Sequence, residues 1–168
     1  MFLRILTTLT LLVLAGAALG ADAGWVIRED GVGPAKVDMT LAQLRTALHD
    51  RLIEDGDSGS DSCEYVKPAK HPQVSFMILD GRFVRADVVV RGIATTDGIQ
   101  VGDSESDVRQ RYGKKMTVEP HQYIDDGHYL TLRSADGKYG VRFETEKGKI
   151  TSFYAGRFSA IQYVEGCE

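Results

Sequence analysis

Residues 37–48 read VDMTLAQLRTAL, and residues 101–112 read VGDSESDVRQRY. When Thr40 is placed over Ser104, the apolar positions of the two stretches coincide. The hydroxyl of Ser or Thr can accept a hydrogen bond from a free backbone NH at the start of a helix, and Gln or Asp three positions later supplies the partner of a capping box. Both stretches therefore predict a short amphipathic helix, and we expect the first one to continue to Ile53.

Strand patterns separated by turn signals follow each predicted helix. The turn signals are Asp80-Gly81, Asp136-Gly137 and Lys147-Gly148, and short loops of this kind join antiparallel strands. The sequence thus predicts an α+β fold, in which two tandem units of a helix and an antiparallel meander pack as one small domain, with the helices on one face of the sheet. The predicted units are residues 24–96 and 97–168.

The N-terminus has the three regions of a secretory signal. Arg4 precedes an apolar run over residues 5–18, and small residues follow it. We predict a signal peptide over residues 1–23 with cleavage after Ala23, or alternatively after Gly20. The apolar run is shorter than the roughly 20 residues of a spanning helix, so no stable membrane span is expected after signal removal. An uncleaved signal that holds the chain in the inner membrane is the alternative. The predicted location is periplasmic or secreted.

The two cysteines predict a disulfide. Cys63 and Cys167 both lie in the part of the chain that follows the signal, and an even number of cysteines in an exported protein favours pairing. With two cysteines only one pairing exists. A loop of about 100 residues closed in this way can gain up to roughly 5 kcal/mol in the chain-entropy description.

The charge excludes one class of partner. The formal net charge is −4, and the sequence contains no run of lysine or arginine. Contacts to phosphates supply most of the affinity of proteins for nucleic acids. No nucleic-acid partner is therefore expected.

Residues 37–40 and 101–104, with the helices behind them, resemble the start of the BamE/SmpA-type domain of envelope lipoproteins. Asp38 stands where that pattern usually has glycine. Two such units in tandem on an exported chain are similar to the β-lactamase-inhibitor-protein fold. The resemblance implies a binding role with a protein partner in the cell envelope, without identifying the partner.

A polar and aromatic stretch supplies the candidate binding residues. If Asp126-Gly127 forms a two-residue turn, alternation along the hairpin places two histidines, a tyrosine and a carboxylate on one face. Such a face could bind a protein or stack on a sugar, two histidines and a carboxylate could hold zinc or copper, or the hairpin could simply face solvent. A three-residue turn would shift the register and separate these side chains. The candidate binding residues are His121, Tyr123, Asp125, His128 and Tyr129.

Two further patterns resemble functional motifs. Gly102-Asp103-Ser104 resembles the nucleophile block of GDSL-type esterases, and Asp125 with His128 is similar to the segment that carries their other two triad members. Ser104, however, matches Thr40, whose predicted role is a helix cap, and the chain lacks the long helices between strands that the esterase fold requires. Residues 55–61 alternate carboxylates as calcium loops do, but lack the bidentate glutamate, so a flexible acidic loop is expected.

Taken together, these patterns predict an exported, non-catalytic binding protein, an inhibitor or immunity-type factor that acts on a protein in the cell envelope. No catalytic residue, cofactor or metal site is predicted. A carbohydrate-binding module is the first alternative, and a GDSL-like esterase is the second.

Overall fold

The computed structural model describes residues 25–55 and 62–167, and these residues are mostly β structure. They form twelve strands in two sheets and two α-helices of eight residues each. The predicted α+β class, with two tandem helix-plus-meander units, is therefore wrong. The predicted signal, residues 1–23, and residues 56–61 of the acidic loop lie outside the described residues. None of the described helices has the length and apolar character needed to cross a membrane.

The helices and strands divide between the two halves of the chain. The first half contains β1 (Val26–Arg28), β2 (Gly31–Val32), β3 (Ala35–Lys36), α1 (Leu41–Leu48), β4 (Leu52–Glu54), β5 (Cys63–Pro68), β6 (Val74–Leu79), β7 (Arg82–Val88) and β8 (Ala94–Thr95). The second half contains α2 (Glu105–Tyr112), a 3₁₀ helix (Gly113–Lys115), β9 (Met116–Pro120), β10 (Gly127–Arg133), β11 (Tyr139–Glu146), β12 (Lys149–Arg157) and a second 3₁₀ helix (Ala160–Gln162).

One large antiparallel sheet organises the chain. Its strand order is β4-β5-β6-β7-β12-β11-β10-β9, so strands from the two halves of the chain meet at β7 and β12. A small sheet of order β3-β2-β1-β8 lies at the N-terminal end, and β1 pairs with β8 in parallel. Its strands have only two or three residues, which is too short for a periodic pattern to reveal them.

The two predicted helix caps are present. The Thr40 hydroxyl accepts a hydrogen bond from the Gln43 NH at 3.3 Å, and the Gln43 side chain accepts one from the Thr40 NH at 2.8 Å. The Ser104 hydroxyl accepts a hydrogen bond from the Asp107 NH at 3.1 Å. These bonds satisfy NH groups that have no partner inside the helix, which fixes where each helix begins.

The first helix is shorter than predicted. It ends at Leu48 because His49 adopts a left-handed conformation with φ of 48°. Ile53, the predicted last helical residue, instead lies in β4 and pairs with Lys67 of β5. Left-handed residues commonly terminate helices, but they are usually glycine or asparagine, so a histidine at this position does not predict the end of a helix.

Both helix starts are hydrogen-bonded to the large sheet in the same way. The Asp38 NH donates to the Phe83 carbonyl at 2.8 Å, and the Gly102 NH donates to the Ile150 carbonyl at 2.8 Å. Asp38 has φ of 76° and Gly102 has φ of 90°. Aspartate is one of the few residues besides glycine that visits this region, so Asp38 can replace the glycine of the motif.

The main core lies between one face of the large sheet and the helices with the small sheet. Apolar residues of the strands and helices fill it, and burial of each large side chain contributes about 1.5–3 kcal/mol. Its largest fully buried members are Phe76, Phe83, Phe143, Phe153, Ile27, Leu44, Ile78, Leu130 and Ile150. A smaller cluster, formed by Cys63, Met77, Val84 and Ala160, packs with Cys167.

The predicted disulfide is confirmed. Cys63 and Cys167 are joined, with their Cα atoms 5.4 Å apart. The bond connects β5 to the C-terminal end of the described chain across 104 residues of sequence.

Glycine at position 156 is required where β12 meets β7. A Cβ atom at Gly156 would lie 2.1 Å from the Val84 carbonyl oxygen, whereas a Cβ at Gly148, in the β11–β12 turn, would meet nothing within 4 Å. We expect Gly156→Ala to lower the free energy of unfolding by about 3 kcal/mol because backbone atoms must move apart. The control Gly148→Ala, with φ of 72°, should cost about 1 kcal/mol. Urea unfolding measures both, and equal losses would contradict the close approach.

Candidate functional site

The face of the large sheet opposite the main core carries charged and aromatic side chains. Arg85 and Asp87 come from β7, Tyr154 from β12, and Arg142 and Glu144 from β11. The register places Tyr154 directly between Asp87 and Arg142. We call these five residues, together with Tyr65, Tyr129 and Thr131, the polar face.

Arg85 is the centre of the first group on the polar face. Its side chain is only 5% exposed, and its Nε lies 2.7 Å from the Asp87 carboxylate. Nη2 donates to the Tyr65 hydroxyl at 2.7 Å, and Nη1 donates to the Tyr163 carbonyl at 2.7 Å. The guanidinium also lies over the Tyr154 ring, 4.5 Å from its centroid. A buried guanidinium must be paired and hydrogen-bonded in this way to offset the loss of water.

Burial shifts the ionisation of this group. It raises the pKa of the Asp87 carboxyl, and the Arg85 guanidinium opposes that shift. Burial also raises the pKa of the Tyr65 hydroxyl, which therefore stays a neutral donor and acceptor at ordinary pH. The polar face thus has little solvent to screen its charges.

Arg142 is the centre of the second group. Its Nε donates to the Thr131 hydroxyl at 2.8 Å, and its guanidinium lies 5.1 Å from the centroid of the Tyr129 ring. Nη2 donates to the side-chain oxygen of Gln162, which belongs to the C-terminal 3₁₀ helix. Two buried arginines from neighbouring parts of the sheet therefore both reach the C-terminal segment.

Glu144 differs from Asp87, the other carboxylate of the polar face, because its direct donors are neutral. The Tyr154 and Ser152 hydroxyls each donate to it at 2.9 Å. The His121 Nε2 lies 3.8 Å from its carboxylate. Burial, and then the nearby Glu144 carboxylate, raises the pKa of Tyr154, while Arg142 and Arg85 oppose that shift.

A cavity of about 340 Å³ opens between the polar face and the C-terminal segment. Its carboxylates are Asp55, Asp87, Glu144 and Glu165, and its guanidinium is Arg85. Asp55 is paired with Lys67 at 2.5 Å, as Asp87 is with Arg85. Glu165 accepts a hydrogen bond from the Tyr123 hydroxyl. Neither Glu144 nor Glu165 forms an ion pair with a lysine or arginine among the described residues, and the lining of the cavity has four carboxyl groups and one guanidinium, so the cavity is acidic.

Three of the five predicted binding residues come together. The His121 ring stacks on Tyr129, with centroids 4.4 Å apart, and meets Tyr123 edge-on at 6.3 Å. His121 and Tyr129 are largely buried, whereas Tyr123 is 59% exposed. Tyr129 belongs to the polar face, and His121 connects the group to Glu144. The three residues meet through the loop before β10 and not through the hairpin predicted from the sequence.

A two-residue turn at Asp126-Gly127 does not form, and the longer loop that is present separates the remaining two residues. His128 pairs with Pro120, so six residues, 121–126, join β9 to β10. Asp125 lies in this loop and does not face His128 across a ladder. His128 precedes Tyr129 and points to the opposite side of the sheet, towards Glu105. The proposed zinc or copper ligands are thus apart, and no group of three or more such side chains is arranged for a metal in residues 25–55 and 62–167.

His128 instead belongs to a group at the start of α2. Its Nδ1 lies 3.1 Å from the Glu105 carboxylate, which also accepts hydrogen bonds from Thr145 at 2.6 Å and from Arg109 at 2.7 Å. Although burial raises the pKa of Glu105, these donors together hold it below its usual range. The group fixes the first turn of α2 to strands β10 and β11.

The serine of the esterase-like motif is engaged elsewhere. The Ser104 hydroxyl contacts the Asp107 NH at 3.1 Å and the Ser106 hydroxyl at 2.8 Å. Since His128 is bound to Glu105, the hydroxyl and the imidazole of the proposed pair each have other partners. This geometry is that of a helix cap.

A sequence signal for the polar face existed in β7 and β11. Arg85 and Asp87 in β7, and Arg142 and Glu144 in β11, alternate with apolar residues that face the core. Alternation of this kind usually indicates a face turned to solvent. In the structure, the C-terminal segment covers these charges. This contact joins residues far apart in the sequence, so no local sequence pattern predicts it.

The lowered pKa of Glu105 predicts a pH-dependent contribution to stability. We expect Glu105→Gln to lower the free energy of unfolding at pH 7 by about 1–3 kcal/mol because hydrogen bonds to a charged group are lost. This contribution is complete above the unfolded-state pKa of about 4.3 and disappears as the pH falls through the lower pKa of the folded state. Urea unfolding between pH 3 and 7 measures it. Asp107→Asn, in the same helix turn, is the control for the helix dipole and should cost less.

No protein-family model and no curated protein matches the chain. Among solved structures, the chain is similar to the crystal structure of the uncharacterized protein yfeY from Escherichia coli, with a TM-score of 0.52 and 14% sequence identity. The match covers 79% of this chain and 99% of that chain. At this level of identity, the two proteins share a fold, and the likeness carries no information about function.

Proposed function

We propose that the chain is an exported, non-catalytic binding protein of the inhibitor or immunity type, and that its acidic cavity receives a cationic side chain of a protein partner in the cell envelope. The observation that carries the proposal is the pair of carboxylates, Glu144 and Glu165, that line the cavity with only neutral hydroxyl donors. A lysine or arginine from a partner would supply the missing positive charge.

The surroundings of Glu144 favour a cation over a neutral group. Its side chain is 20% exposed, and a charge pair in such a poorly solvated place is stronger than one in open water. The Tyr154 ring already has the Arg85 guanidinium over it, and Arg85 is paired with Asp87, so an incoming cation would bind at the carboxylates and not on that ring. The resemblance of residues 37–40 and 101–104 to the BamE/SmpA-type domain is what suggests an envelope partner.

A carbohydrate module ranks below this proposal. Sugar stacking needs exposed aromatic rings, but Tyr129 and Tyr154 are buried and have guanidinium groups over their rings. Tyr123 is the exposed ring of this region. A glycan array separates the two functions, since a protein inhibitor should give no glycan signal.

A cation should bind the cavity with modest affinity. We expect N-acetyl-arginine amide to shift the NMR signals of residues around Glu144 and Tyr154, because its guanidinium supplies the absent charge. N-acetyl-citrulline amide has nearly the same shape without the charge and is the matched control. Equal shifts from the two compounds would contradict the electrostatic basis of the proposal.

Single charge removals locate the site. Glu144→Gln should weaken arginine amide binding by about fivefold, equivalent to about 1 kcal/mol. Glu146→Gln, two residues along the same strand and paired with Lys147, should leave binding unchanged. Cross-linking in an envelope extract, with the cross-linker at position 89, which lines the cavity and is 66% exposed, then identifies the partner. A partner that cross-links equally to the Glu144→Gln variant would count against the cavity.

Export gives a separate prediction. The Cys63–Cys167 disulfide fits an oxidising compartment, which supports a periplasmic or secreted location, and the proposed cleavage after Ala23 rests on the sequence pattern of the N-terminus. We expect intact-mass measurement of the protein from a periplasmic fraction to give a chain beginning at residue 24 with the two cysteines oxidised. A full-length, reduced chain recovered from the cytoplasm would refute this part.

A further inference from the structure

The last residues of the described chain form a boundary of the acidic cavity. Val164, Glu165 and Gly166 line the 340 Å³ cavity on one side and a second cavity of about 500 Å³ on the other. We call residues 163–167 the C-terminal strap. The disulfide itself, Cys63 with Cys167, lines the second cavity; Cys63 is buried and Cys167 is half-buried, so an external thiol would approach from this side, at Cys167.

Few backbone interactions hold the strap. Within the described residues, positions 164–167 take part in no backbone-to-backbone hydrogen bond. Arg85 donates to the Tyr163 carbonyl at 2.7 Å, and the Tyr123 hydroxyl donates to Glu165. Beyond these two side-chain contacts, the covalent bond at Cys167 fixes the far end.

The strap also fits closely onto the polar face. A Cβ atom at Gly166 would lie 2.7 Å from the Tyr65 hydroxyl oxygen, and Gly166 has φ of 70°. Tyr65 in turn accepts a hydrogen bond from Arg85. Position 166 therefore brings the strap into contact with the Arg85 group, and a covalent tether one residue later keeps it there.

We propose that thiol–disulfide exchange at Cys63–Cys167 controls the acidic cavity by releasing the C-terminal strap. A dithiol reductant attacks one sulfur as its thiolate, the Sγ–Sγ bond breaks, and the other cysteine leaves as a thiolate that takes up a proton. The second thiol of the reductant then resolves the mixed disulfide, so that the reductant is oxidised and both cysteines are reduced.

Release changes the cavity in two ways. Glu165 leaves with the strap, which removes one of the two carboxylates without a cationic partner. The boundary between the two cavities is lost, and water enters next to Glu144, which weakens its attraction for a cation. The oxidised protein is thus the form that binds a cation well; this part of the inference rests on the proposed function.

Hydrogen exchange tests strap release without any ligand. We compare the oxidised full chain with the full-chain Cys63→Ser/Cys167→Ser variant. Exchange at Tyr163, the strap residue whose NH donates to the Ala160 carbonyl at 3.2 Å, should be at least about tenfold faster in the variant, because release of the strap lets this last turn open more often. Strands β10 and β11 should keep their protection. Equal exchange of the strap in the two proteins overturns the inference.

Native-state reduction covers the case in which the double variant does not fold. Oxidised protein treated with dithiothreitol should gain two mass units while its circular dichroism spectrum is retained. Reduction that occurs only together with loss of the β-sheet signal overturns the inference, because release would then be the same event as unfolding.

Cation binding tests the coupling. Arginine amide should bind the reduced protein about fivefold more weakly than the oxidised one, and saturating arginine amide should raise the ratio of reduced to oxidised dithiothreitol needed for half reduction at equilibrium by about the same factor, since coupling between two sites is reciprocal. Glu165→Gln in the oxidised protein is the control: it should weaken binding without faster strap exchange. Equal affinity of the oxidised and reduced forms overturns the coupling. Absence of binding to both overturns the proposed function, and strap exchange alone then decides whether release occurs.

Discussion

Within the described residues, strands β7 and β12 provide the pairing that joins the two halves of the large sheet into one. Four residue pairs make up this junction, and one of them places Tyr154 beside Asp87. Gly156 permits the close approach of the two backbones. Without this junction, the groups around Arg85 and Arg142 would belong to separate sheets, and no surface would exist for the C-terminal segment to cover.

The two faces of the sheet are stabilised by different physics. One face buries phenylalanine and aliphatic side chains against the helices, where the hydrophobic effect acts without directional demands. The other buries two arginines, each of which needs several well-placed acceptors. Exchange of such groups for apolar residues is often neutral or stabilising in other proteins. The polar face therefore contributes a defined geometry more than it contributes stability.

Features that depend on a few neighbouring residues were predictable from the sequence. The caps at Thr40 and Ser104 rest on one hydroxyl and the NH three residues later, and both are present. The disulfide followed from the cysteine count. The fold class was wrong because His49 ends α1 early and because very short strands form a second sheet. Both outcomes depend on backbone conformations that composition and periodicity do not reveal.

The site was predicted only in part, for a related reason. His121, Tyr123 and Tyr129 do meet, but the six-residue loop before β10 sends His128 to the other side of the sheet. A change of loop length reverses the side on which every following strand residue stands. The charged residues of β7 and β11 could be recognised in the sequence from their alternation with apolar residues. The residues near position 162 that bury them could not be recognised, because they are distant in the sequence.

The strand order also has a consequence for biosynthesis. β7 ends at residue 88, but its partner β12 begins at residue 149. Until β12 has been made, the β7 edge of the first half has no partner strand, and unpaired edges invite association with other chains. About 60 more residues must be translated before that edge can close, roughly 3–12 s at ordinary elongation rates. During this interval, the unpaired edge of β7 is the surface that a chaperone for newly made chains would bind.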